Sequence, residues 1–129
     1  MTGRLTYRWR REAAEQEAAV AAGNLPREAA YALSCFPADF VARVDAAFAR
    51  FEEEIAGLEP GDDEAAWAAV EGFVSALNAA DSGEIETSTR EELCEYIDAA
   101  LADAGVDVDE LTARRGMDRS ELTDEWRDW

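Results

Sequence analysis

Between residues 40 and 58 the apolar side chains Val41, Val44, Phe48, Phe51, Ile55 and Leu58 recur at alternating steps of three and four. That is the one-face period of a helix packed along its length, and it predicts the central core helix of the fold. A coiled-coil dimer would use the same seam, but the segment holds fewer than three heptads, short for a free-standing coiled coil. A second stripe, Trp67, Val70, Val74 and Leu77, widened by Ala66 and Phe73, predicts a helix over residues 63–80. The turn Glu59-Pro60-Gly61-Asp62-Asp63 separates the two. A third run, Leu93, Cys94, Ile97, Ala100, Leu101 and Ala104, keeps the same spacing and stops at Gly105.

Start signals refine this outline. Ser88 precedes the third run with Glu91 three residues later, so a capping box with Ser88 as N-cap is predicted there, and Ile85 is placed to tuck beneath the helix as a hydrophobic staple. Glu91 and Glu92 then fall in the first turn, each favourable against the helix dipole by about 0.3–1 kcal/mol. Toward the N-terminus, residues 7–22 read as a helix stopping at Gly23-Asn24, and residues 1–6 as a loose arm. Pro26 opens a short helix over residues 27–35 and Pro37 opens the next, because proline suits the first helical turn and disfavours helical geometry before it. After Gly105 a short helix ends at Gly116, and residues 120–129 form a tail finishing on Trp126 and Trp129. Strand patterns, repeats and low-complexity linkers are missing. The expected fold is all-α: one domain over residues 1–129, a bundle of about five principal helices with a short C-terminal helical tail.

Charge changes the picture most. The 129 residues carry 30 acidic and 12 basic side chains, a formal net charge of −18, with no histidine; every basic residue is arginine. The lack of lysine beside much alanine reads as a high-GC bacterial coding bias. Arg4, Arg8, Arg10 and Arg11 precede the first acid, at the unfavourable end of their helix, so they are expected to pair with the acidic surface of the same molecule. A surface this acidic repels nucleic acid and anionic membrane, and its expected partner is a basic protein. No apolar window approaches the about 20 residues of a membrane span, and no secretory segment is visible, so a cytoplasmic protein is expected. Cys35 and Cys94 lie in apolar helical patterns and are expected to be buried free thiols.

Most catalytic machinery is excluded by residue type. Without histidine there is no histidine-based triad or mixed histidine–carboxylate metal site, without lysine no Schiff base, and no glycine-rich phosphate loop occurs. No catalytic residue or cofactor is assigned. Carboxylates remain: Glu92, Glu95 and Asp98 follow at three-residue steps on one helix face, a spacing that could gather oxygens around Mg²⁺, and the first helix offers Glu12 and Glu15 at the same step. That pairing on two helices is similar to all-α nucleotide pyrophosphohydrolases, which makes a metal-dependent hydrolase the alternative reading; a solvated helix face, which any exposed helix shows at this spacing, is the preferred account. Asp103, Asp107, Asp109 and Glu110 lack the ligand alternation and mid-loop glycine of a calcium loop. The terminal Glu125-Trp126-Arg127-Asp128-Trp129 is expected to dock, its indoles covering a groove on the core or anchoring a partner.

The residues Leu77-Asn78, Ile85-Glu86-Thr87, Arg90-Glu91-Glu92-Leu93-Cys94, Tyr96-Ile97-Asp98 and the closing Trp126-Arg127-Asp128-Trp129 resemble a family of small uncharacterised bacterial proteins with an "IET…REELC…ID" segment and a "WR-W" ending. The likeness covers the C-terminal half and implies no catalytic residues. In size, acidity and helicity the chain also resembles bacterial immunity proteins that cap a toxin. The expected function is therefore a non-enzymatic acidic interaction domain for a basic partner, of immunity or inhibitor type, with Glu91, Glu92, Glu95, Asp98, Trp126 and Trp129 as interaction residues. A DNA mimic, its carboxylates imitating phosphates, is the second alternative.

Overall fold

The stripes of residues 40–58 and 63–80 become two long helices packed against each other as a hairpin. The structure, a computed structural model, describes residues 4–129. Its elements are α1 (Leu5–Ala21), a 3₁₀ turn at Arg27–Ala29, α2 (Tyr31–Cys35), α3 (Ala38–Ala56), α4 (Asp63–Ala80), α5 (Thr87–Asp103), α6 (Val108–Ala113) and a 3₁₀ turn at Arg119–Glu121. The fold is an all-α bundle of four long helices and two short ones, with no strand among the described residues. No described helix is long and apolar enough to cross a membrane.

The α3–α4 hairpin forms the most extensive contact, with α1 lying against α3 and α5, and α2 and α6 packing on α1 and α5. Where α3, α4 and α5 meet, Phe48 sits edge-on to Phe73 (ring centroids 5.1 Å apart) and to Tyr96 (4.6 Å), while Phe51 stacks on Phe73 at 4.7 Å. Trp9 of α1 lies flat against Phe36 and Phe40 at 5.0 and 6.0 Å, joining α1 to the start of α3. Leu93, Ile97 and Leu101 of α5 are fully buried, as their period predicts.

Helix ends follow local chemistry except in three places. Gly105 closes α5 at φ 94°, with the Val106 amide reaching the Leu101 carbonyl and the Gly105 amide the Ala102 carbonyl, the paired bonds of a Schellman stop. By contrast, the capping box expected at Ser88 does not form. The helix begins at Thr87, Glu86 occupies the N-cap without a side-chain capping bond, and Ser88 is exposed within the first turn. The cause is the preceding loop. Asp81 Oδ1 accepts both the Gly83 and Ile85 amides at 3.0 Å, and Ile85 packs on the core, which sets the helical phase before Ser88 is reached. The predicted helix over 27–35 is likewise split. Ala30 leaves helical geometry at ψ 75°, and the Gln16 side chain of α1 accepts the Ala32 amide at 2.8 Å, supplying from another helix the partner that α2 needs at its N-terminus.

The third correction concerns the arm. Residues 1–3 lie outside the described residues, but Arg4, Leu5 and Thr6 are tied down: Thr6 is fully buried and donates its hydroxyl to Asp45 at 2.6 Å, and Arg4 Nε donates to Glu52 at 2.9 Å. Arg4 also lies 3.3 Å from Asp45, and Arg10 3.8 Å from it. Burial pushes the Asp45 carboxyl upward, but the Thr6 hydroxyl, Arg10 and Arg4 outweigh it and hold it below the ordinary 3.8. A carboxylate whose folded pKa is depressed adds stability above its unfolded pKa and loses it as pH falls through the folded value. Asp45→Asn should therefore lower unfolding free energy by about 1.5–3 kcal/mol at neutral pH, the range for a hydrogen bond to a charged group. The difference from wild type should shrink toward zero below pH 3.8, as read by urea denaturation at both pH values. A gap that persists in acid would mean that shape, not charge, is what the asparagine disturbs.

Candidate interaction surface

The outer face of α5 carries four carboxylates in two environments. Glu91 and Glu95, one helical turn apart, are exposed; Glu92 and Asp98 are half-buried. Arg8 of α1 bonds to Glu92 and lies 3.5 Å from Glu12 of its own helix. Arg119 clamps Asp98, its Nε donating at 2.7 Å, and reaches Asp109 at 3.1 Å. Glu91, Cys94, Glu95 and Asp98, with Arg119 and Thr123 opposite, line a shallow cleft of about 360 Å³ between α5 and the C-terminal segment.

Two of the three carboxylates spaced for a metal ion have arginine partners: Glu92 and Asp98 are held by guanidinium groups from different parts of the chain. The tertiary fold does bring the Glu12 and Glu92 helices together, and the Arg8 side chain, bonded to Glu92 and 3.5 Å from Glu12, supplies positive charge between them. Among the described residues no group of three histidine, cysteine or acidic side chains is disposed to hold a metal ion. The aspartates after Gly105 are dispersed in the same way: Asp107 caps α6 through the Glu110 amide, Asp109 pairs with Arg119, and Glu110 with Arg114.

The tail docks on its own chain. Trp126 packs on Trp67 with centroids 5.9 Å apart, Arg115 covers the Trp67 ring at 4.2 Å, and Trp126 and Trp129, both half-buried, pack on the core. Asn78 of α4 fixes the segment twice, its amide donating to the Trp126 carbonyl at 2.6 Å and its carbonyl oxygen accepting the Asp128 amide at 3.0 Å. Both cysteines are free, but only Cys35 is buried; Cys94 is half-exposed, with Arg127 Nη1 at 3.3 Å and the Thr123 hydroxyl at 3.6 Å. Cys94 belongs to an apolar period yet lies at its edge, where the tail covers α5 incompletely. Asn78→Ala should cost about 0.5–1.5 kcal/mol per bond lost and remove hydrogen-exchange protection from the Asp128 amide while α5 amides keep theirs. Unchanged exchange at Asp128 would show that the indoles alone hold the tail.

Sequence reasoning missed a second acidic cleft of about 520 Å³, where the α3–α4 turn meets α6. There Arg114 binds Asp63 through two bonds of 2.6 and 2.9 Å and holds that carboxyl below its ordinary range. Its only advance signals were Asp-Asp after Pro60-Gly61 and two adjacent arginines, more than fifty residues away along the chain.

Across the described surface, arginine is largely consumed internally. Arg4, Arg8, Arg10, Arg11, Arg27, Arg50, Arg114, Arg115, Arg119 and Arg127 each have a carboxylate of the same chain within 4.0 Å. Comparison of the chain with family models, curated proteins and solved structures finds no match.

Proposed function

We propose that this chain is a non-enzymatic acidic interaction domain whose partner is a basic protein, in the manner of an immunity or inhibitor protein. The observation that carries the reading is the internal use of arginine. Ten of the twelve basic side chains are engaged with the chain's own carboxylates, so the excess of −18 is presented outward with little positive charge to relieve it. Glu91 and Glu95, exposed on a rigid helix between two clamped carboxylates, are well placed for contact with a cationic surface. A field of this sign speeds encounter with a basic partner and repels acidic ones, and it decays over about 8 Å at physiological salt.

Affinity capture with the immobilised full chain tests this. The specifically retained protein should be basic, should elute between low and moderate salt, and should bind a Glu91→Lys/Glu95→Lys variant at least about tenfold more weakly. An acidic partner, or one retained regardless of ionic strength, overturns the reading.

A further inference from the structure

We infer that α1 is a charge-held latch: it opens as a unit ahead of the rest of the bundle, and while closed it occupies, in place of a basic partner, the carboxylates Asp45, Glu52 and Glu92. This rests on the reading of the chain as an acidic domain for a basic protein and adds how its contact surface is regulated. Among the described residues, the arginines paired with those three side chains all come from residues 4–10. Arg4 reaches Asp45 and Glu52 of α3, Arg10 lies 3.8 Å from Asp45, and Arg8 bonds to Glu92 of α5. The Thr6 hydroxyl adds a bond of 2.6 Å to Asp45. Lifting α1 therefore uncovers an acidic strip shared by two helices, one that already accepts a basic helix.

Packing makes α1 the element able to leave. Helix α3 buries six residues, α4 eight and α5 six, and the three are joined through the rings of Phe48, Phe73 and Tyr96. Helix α1, at 17 residues, buries only Thr6 and Trp9, with Leu5 part-buried beside them and no residue beyond Trp9 buried. Its main apolar anchor is thus one indole on Phe36 and Phe40, with the Gln16 bond to the Ala32 amide tying it to α2; the rest of its named hold on α3 and α5 is polar. Residues 22–30, turning at Gly23 with φ 75°, give α1 a connection about which it can swing while α3 stays in place. Salt then acts with opposite signs on the two parts. Screening weakens the arginine–carboxylate attraction that closes α1, but relieves the self-repulsion of a chain at −18 that opposes the rest of the fold.

Native-state hydrogen exchange of the full chain reads the latch. From about 0.05 to about 0.5 M sodium chloride, protection of α1 amides should fall at least about fivefold, while that of α4 amides holds or rises. Arg4→Gln/Arg8→Gln should lower α1 protection about tenfold at low salt and change α4 less than about twofold, and Arg4→Lys/Arg8→Lys, which keeps both charges, should recover most of the loss. The partner's place is probed with a fluorescently labelled synthetic peptide copying residues 4–21, followed by anisotropy. It should bind the glutamine variant at least about fivefold more tightly than the wild-type chain, whose own α1 competes at high effective concentration. Exchange of α1 and α4 amides at one common free energy, or α1 protection indifferent to salt, overturns the latch and leaves the acidic reading standing. An opened α1 with no gain in peptide binding shows that α1 does not stand in for a partner, and overturns the proposal as well. Tight peptide binding that added salt does not weaken means that the uncovered strip does not select charge, and both readings fall.

Discussion

Trp9→Ala should lower the unfolding free energy by about 3–5 kcal/mol, a large part of the about 5–15 kcal/mol that holds a domain folded. Trp9 is fully buried and lies parallel to Phe36 and Phe40, so its removal empties the contact that fixes α1 on the α2–α3 corner. The polar contacts of α1, buried Thr6 and half-buried Arg4 on Asp45 and Arg8 on Glu92, bury little apolar area and cannot replace that of the indole. The loss should therefore be local first: amides of α1 lose hydrogen-exchange protection while those of α4 keep theirs, and the urea slope falls because the native state is already partly open. Trp9→Phe sharpens the point. The indole N–H is buried with no hydrogen-bond partner among the described residues, so phenylalanine gives up volume but also removes an orphan donor worth about 1–3 kcal/mol, and should cost much less than alanine. A Trp9→Ala loss below about 1 kcal/mol would show that α1 is held by its charges rather than its core.

Phe48→Ala should cost a similar about 3–5 kcal/mol, but globally. Its ring is the edge-to-face partner of Phe73 and Tyr96 at 5.1 and 4.6 Å, so one side chain joins α3, α4 and α5. No element can detach to localise the damage, and exchange protection should fall by the same free energy across all three helices, with the urea slope unchanged. A double-mutant cycle with Phe73→Leu should return a coupling of about 0.5–1.5 kcal/mol, the share of the ring geometry beyond burial. Additive losses would mean that Phe48 contributes area alone.

How the two sites differ explains what could be read in advance. Phe48 and Phe73 announce themselves by period, because each lies on a long helix whose apolar steps are a local property of the chain. Trp9 does not. It stands among four arginines with no apolar stripe around it, and only the stacking on Phe36 and Phe40 makes it core. The acidic face divides the same way. Glu92, Glu95 and Asp98 are spaced alike, but Arg8 and Arg119 reach in from separate elements to take Glu92 and Asp98 and leave Glu95 exposed.

By itself, then, the sequence determined the all-α class, the extents of α3 and α4, the stop at Gly105 and the charge of the surface. Each depends on side-chain period, on backbone preference at single residues, or on composition, none of which needs a distant partner. Tertiary structure alone decided where α5 begins, how the helix predicted over residues 27–35 is split, which carboxylates are clamped, and that the terminal tryptophans lie on the chain's own core. In each of those cases the competing local options differ by about 1 kcal/mol or less, so a single long-range contact, Ile85 on the core or Asn78 on the tail, is enough to choose between them.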